Sequence, residues 1–190
     1  MSVDTKLPRR TITALVQDKP GVLNRISSMF RRRGFNIASL AVGHSEEPNM
    51  SRMTFVVEGD DSVVERVTKH LHKLIDVIKV SDISDHNIVS RELALIRVKA
   101  DAQTRNEIMQ VVDIFRANIV DLSTESLIIE ISGDEDKVDS FTELLKPFGI
   151  IEVMRTGTIA INRGLGDDSI VRPTRSATKM NKRWGEASSV

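Results

Sequence analysis

Asp18-Lys19-Pro20-Gly21 lies between the apolar run Ala14-Leu15-Val16 and Val22, the first of several apolar residues at helical spacing. A helix beginning at Gly21 gathers unpaired backbone N–H groups and the positive end of its dipole at this loop, which makes it an anion site. Glycine has no Cβ, so a carboxylate can approach the main chain closely, and Pro20 stiffens the turn so that fewer donors must be ordered on binding. Each such contact supplies roughly 0.3–2 kcal/mol. Asp18, at the strand end, offers a carboxylate to a cation beside the same loop. A free amino acid carries both charges, and the Asn36 amide beyond the helix can bond either of its groups. The structural alternative stands beside this reading: Asp-x-Pro-Gly is also a turn plus a helix start, and Asn36 also a helix-ending cap.

Other groupings of reactive residue types do not converge. His70 and His72 are two apart on a predicted helix and point in different directions, while His44 and His86 fall on a strand end and in a linker. Arg31, Arg32 and Arg33 close the first predicted helix, where cations complement the negative end of the dipole. No serine stands in a nucleophile elbow and no phosphate-cradling glycine run follows a strand, so no catalytic set and no metal set is expected.

The chain has 190 residues, 27 basic and 27 acidic, with 40% apolar content and no cysteine. Its length suits two small domains. Zero formal charge argues against nucleic acid and anionic membranes as partners. Absence of cysteine removes disulfides and thiolate chemistry and suits a reducing compartment. The first residues show no long apolar run and no small-residue cleavage pattern, and no segment reaches the roughly 18 apolar residues of a membrane helix. A soluble, cytoplasmic protein is expected.

These residues need a scaffold, and the periodicities supply one twice. Arg10 to Gln17 reads as a strand, followed by a helix with Val22, Leu23, Ile26, Met29 and Phe30 on one stripe. Asn36 to His44 and Arg52 to Glu58 read as strands separated by Glu46-Glu47-Pro48-Asn49. A second helix carries Val63, Val67, Leu71 and Leu74, with Ser62 and Glu65 at capping-box spacing, and Ile75 to Val80 is a fourth strand. After a polar linker from Ser81 to Ser90 the order returns: a strand from Glu92 to Lys99 and a helix with Ile108, Val111, Val112 and Phe115 on one face. Strands at Ile119 to Leu122 and Leu127 to Ile131 follow, then a helix with Val138, Phe141, Leu144 and Leu145, and a strand from Ile150 to about Ile161. The expected fold class is α+β, two tandem ferredoxin-like βαββαβ domains with antiparallel sheets and helices on one face. The expected division is residues 1–83, 84–163 and a flexible tail, 164–190, whose Trp184 is a possible docking anchor. The second copy has no Pro-Gly between strand and helix, and Thr104 with Glu107 offers only a capping box there. Helices cover one sheet face only, so the other face and the edges need shielding, which a second copy can give; because the same edge exists in every chain, a symmetric homodimer with sheets joined side by side is expected.

"DKPGVLNRISSMFRRRGFNIASL", followed by "EPNMSRMTFVVEGDD" and "LHKLIDVIKVSDIS", resembles the N-terminal ACT domain of the small, regulatory subunit of acetohydroxyacid synthase, also called acetolactate synthase. "VSRELALIRVKA", "IFRANIVDLSTESLIIEISGDEDKVDSF" and "IIEVMRTGTIAINRG" resemble its C-terminal domain. The resemblance spans residues 8 to 164 or so. It implies a subunit with no active site and no cofactor of its own. Such a subunit activates a catalytic subunit that uses thiamine diphosphate, magnesium and FAD, and confers feedback inhibition by valine or another branched-chain amino acid. It also implies an effector held between two ACT domains, near Asp18, Lys19, Pro20, Gly21 and Val22 of one chain and Asn36 and Ile37 of the other. Where many members of that family carry Asn, this chain has Asp18, which holds an ammonium more strongly but costs more to desolvate. The rival readings are an ACT-type sensor serving another enzyme, an enzyme acting on small anions at the loop, and an RNA-binding ferredoxin-like module. The last lacks a stacking platform, since the chain has no Tyr and its one Trp is in the tail.

Overall fold

The computed structural model describes residues 8–84 and 87–164. Strand β1 (Arg9–Gln17) leads into helix α1 (Val22–Arg33), then β2 (Ile37–His44), β3 (Met50–Glu58), α2 (Asp61–Leu71) and β4 (Val77–Asp82). The second unit runs β5 (Ile88–Lys99), α3 (Arg105–Phe115), β6 (Asn118–Leu122), β7 (Ser126–Gly133), α4 (Glu135–Leu145), β8 (Ile150–Arg155) and β9 (Ile159–Asn162). The sheets are antiparallel in the orders β2-β3-β1-β4 and β6-β7-β5-β8, with β9 on β5. This is the tandem ferredoxin-like architecture. The expected tail anchor Trp184 and the linker histidine His86 lie outside the described residues.

Each sheet buries alternate residues under its two helices, as period-2 strands and period-3.6 helices require. Ile12, Ala14 and Val16 of β1 meet Ile26, Met29 and Phe30 of α1, and Phe30 stacks on Phe55 of β3 with ring centroids 5.3 Å apart. The second core repeats the plan with Ile96, Ile108, Ile129 and Phe141, and Phe115 lies 5.2 Å from Phe141.

Several local expectations are corrected. Leu23 belongs to the expected stripe of α1 but is 47% exposed, and Leu144 of α4 is 50% exposed. Val64, rather than Val63, is the fully buried residue at the start of α2. The cap of α2 is not Ser62. Asp60 precedes the helix in extended conformation and accepts from the Val63 amide, while the Ser62 hydroxyl donates to the same carboxylate at 2.7 Å. These two donors, Ser62 first, hold Asp60 below the ordinary carboxylate range. Glu65 pairs instead with Lys69 one turn on. Asp134 caps α4 in the same way, accepting from the Lys137 amide at 2.9 Å. Asp134→Ala is therefore expected to cost about 1 kcal/mol in urea unfolding, and Ser140→Ala, on an exposed helical position, next to nothing. Thr104 makes no side-chain cap on α3, because its hydroxyl and amide both donate to Asp101, which closes a turn before the helix.

Strand boundaries shift too. β4 runs Val77–Asp82 where Ile75 to Val80 is expected, and β5 starts at Ile88 instead of Glu92, so the linker is far shorter than its polarity suggests. The last expected strand is broken. Between the pairs Arg91↔Ile159 and Ala94↔Arg155, two residues of β5 face three, Thr156, Gly157 and Thr158. This is a β-bulge. Thr156 stitches it to β5 by accepting from the Leu93 amide at 3.1 Å, and Gly157 takes φ +81°.

The bulge and the β5/β9 ribbon beyond it turn onto the helix-free face of the first sheet. Thr158 N–H donates to Ser39 Oγ of β2 at 2.8 Å, and Ala160 and Asn162 lie across from Thr13, Leu15 and Ser81. Thr54, Val56 and Ile83 on that face are buried as a result. The chain's own second unit thus covers this face. An Arg9–Glu135 ion pair ties the start of β1 to α4. Among the described residues no further strand pairs with the outer edges of β2 and β4.

Candidate functional site

The loop between β1 and α1 is built for a bare helix start. Gly21 precedes α1 with φ +86°, a left-handed conformation that glycine adopts without a Cβ penalty. No side chain caps the helix there, and its first turn holds no acidic residue. The loop is pinned from both sides: Gln17 N–H donates to Asp76 O and Asp18 N–H to Asn49 O, each at 2.8 Å. The Asp76 carboxylate, nearly buried, pairs with Arg25 in the second turn of α1. The exposed start of the helix thus rests on a stiff support.

The expected site residues divide in two. Asp18, Lys19, Pro20 and Gly21 are exposed together around the helix start. Val22 is different: its side chain is buried in the core, and its N–H donates to Lys19 O at 3.3 Å, so it anchors the loop instead of offering a side chain to a ligand. Asn36 and Ile37 stand at the far end of α1, whose 12 residues put them about 18 Å from Gly21. One chain does not bring the two groups together. The cap at that far end is Gly34, φ +68°, whose N–H donates to the Phe30 and Arg31 carbonyls, so the helix-ending role proposed for Asn36 falls away. Asn36 Nδ2 instead donates to Glu58 Oε2 at 2.6 Å on the exposed edge formed by β2. Ile37 is half-buried against the core, opposite Val57.

One neighbour of the loop is not among the expected residues. His44 ends β2 with its Nδ1 3.1 Å from Asp18 Oδ2. The strand order explains the meeting: His44 pairs with Ser51, and Ser51 with Val16, two residues before Asp18. Counting residues back from the β2–β3 turn in a ferredoxin-like sheet would have found it. His44 also lines a groove of about 400 Å³ between β2 and the β5/β9 ribbon, together with Val42, Arg52, Arg91 and Ile159. Among the described residues no three His, Asp or Glu side chains are grouped to hold a metal ion, and no helix is long and apolar enough to cross a membrane.

Two ferredoxin-like units, the first with an uncapped Gly21 helix start, define a tandem protein whose first unit is of the ACT type. Residues 12–79 match the AHAS small subunit-like ACT domain, and residues 91–164 the family of the small subunit of acetolactate synthase. The chain is 54% identical to the acetolactate synthase small subunit of Mycolicibacterium smegmatis over 83% of its own length and 92% of that protein's. It is 56% identical to the probable acetolactate synthase small subunit of Archaeoglobus fulgidus, over 82% and 98%. The crystal structure of the acetolactate synthase small subunit from Thermotoga maritima superposes with a TM-score of 0.78 at 43% identity, covering 83% of this chain and 99% of that one. The chain belongs to the family of acetolactate synthase small subunits.

Proposed function

We propose that this chain activates a separate catalytic subunit of acetolactate synthase and makes it responsive to a branched-chain amino acid. The uncapped start of α1, with the Asp18 carboxylate beside it, is the observation that carries the effector part of this reading. A zwitterion's carboxylate meets the helix N–H groups and its ammonium meets Asp18. Because Asn36 and Ile37 lie at the other end of α1, the complete site takes Asp18 to Gly21 from one copy and Asn36 with Ile37 from a second, joined along the outer β2 edge. The thiamine diphosphate, magnesium and FAD of the synthase belong on the catalytic partner, and the chemistry of joining pyruvate to a second 2-oxoacid happens there.

Inhibition then follows from linkage. An effector that contacts both copies stabilises one arrangement of the dimer over another, and about 1–3 kcal/mol of coupling shifts the balance between the two arrangements five- to 150-fold. The second unit, with no Pro-Gly start to α3, serves docking and activation. Reconstitution tests this directly. The purified chain alone is expected to show no turnover, to raise acetolactate formation when added to a catalytic subunit, and to make it sensitive to valine, leucine or isoleucine. Turnover by the chain alone, or no effect on the catalytic subunit, overturns the proposal.

A further inference from the structure

The contact between His44 and Asp18 joins two chemistries at one place. Asp18 lies exposed beside the Gly21 helix start, and His44 Nδ1 is 3.1 Å from its Oδ2. Both side chains are accessible, His44 88% exposed and Asp18 45%, so the contact opens without disturbing the core. The imidazole holds the position that an amino acid's ammonium needs on that carboxylate. The other charged residues lining the groove around His44 are Arg52 on β3, which pairs with Glu46, and Arg91 on β5.

We infer that His44 is an internal competitor for Asp18, a specificity residue that the ammonium of the effector must displace. The inference rests on the effector reading above. The imidazole nitrogen and the effector's ammonium cannot both occupy the same carboxylate oxygen, so one must leave for the other to bind. His44 also lines the groove shared with Arg91 and Ile159 of the second unit, so its displacement changes the surface where the two units meet. The competition also favours ligands with a full ammonium over neutral or N-acylated analogues, which cannot replace the imidazole on a carboxylate.

Calorimetry on the full chain with valine, leucine and isoleucine tests this. His44→Ala, which removes the imidazole from an exposed position, is expected to bind the preferred amino acid about two- to fivefold more tightly than the native chain. His44→Lys, whose ammonium stays on the same carboxylate, is expected to bind it more weakly than the native chain. A His44→Ala chain that binds no more tightly than the native one, or a His44→Lys chain that binds as tightly, overturns the role of His44 while leaving the effector site standing. Failure of all three amino acids to bind any of these chains overturns the effector reading itself, and this inference with it.

Discussion

Gly21→Asp is expected to remove sensitivity to the branched-chain amino acid while activation of the catalytic subunit survives. The side chain is not excluded by packing, because a Cβ built at Gly21 meets nothing within 4 Å. Two other effects act. The left-handed φ of +86° costs an L-residue roughly 1–2 kcal/mol, less for Asp and Asn, whose short polar side chains tolerate it. The new carboxylate then sits at the helix start, where it caps the free N–H groups and repels the effector's own carboxylate. Losing the helix contact and gaining the repulsion raises the effector concentration for half-inhibition by tenfold or more, since about 1.4 kcal/mol is one decade. Gly21→Asn separates the terms: it takes the same backbone and caps the same donors without the charge, and is expected to lose less. Full sensitivity of the reconstituted Gly21→Asp enzyme would remove this loop as the site.

Gly157→Val is expected to be strongly destabilising although it lies outside the two cores. Gly157 is at φ +81° in the bulge, and a Cβ there would come within 2.9 Å of Ser39 Oγ and 3.0 Å of Leu40 O. Strain in the left-handed region contributes roughly 1–2 kcal/mol. Overpacking against a backbone carbonyl that cannot move contributes about 1–3 more. The neighbouring hydrogen bond from Thr158 to Ser39 is lost or lengthened, at about 1 kcal/mol. These terms overlap, so a total of about 2–4 kcal/mol is expected in urea denaturation, with Gly157→Ala in the lower half of that range. The clash is also where the second unit rests on β2, so the variant is expected to bind effector yet transmit it poorly to the catalytic partner. An unchanged denaturation midpoint would mean that the bulge does not press on the first sheet.

Much of this architecture is legible in the chain without coordinates, and the reason differs by element. Helices α1 and α2 are visible because their apolar residues recur at helical spacing, and the core they form with Ile12, Phe55 and Val57 follows from strand alternation. The exposed Leu23 and Leu144 show the limit of that signal: an apolar residue at the margin of a stripe is buried only if a neighbour reaches it. At α2, Asp60 and Ser62 are equally good caps by type, and only the extended backbone at Asp60 chooses between them.

Asp18, Pro20 and Gly21 stand out by residue type and spacing, since a helix start without a cap is a local property of the backbone. The same local physics yields two ferredoxin-like units and the absence of a Pro-Gly start in the second. Three things were settled only by the folded chain: the bulge at Thr156 to Thr158, the cover that β5 and β9 lay over the first sheet, and the meeting of His44 with Asp18. Each depends on registers between strands far apart along the chain. Periodicity reports which face a residue takes on its own strand, and carries no information about which distant residue lies across from it.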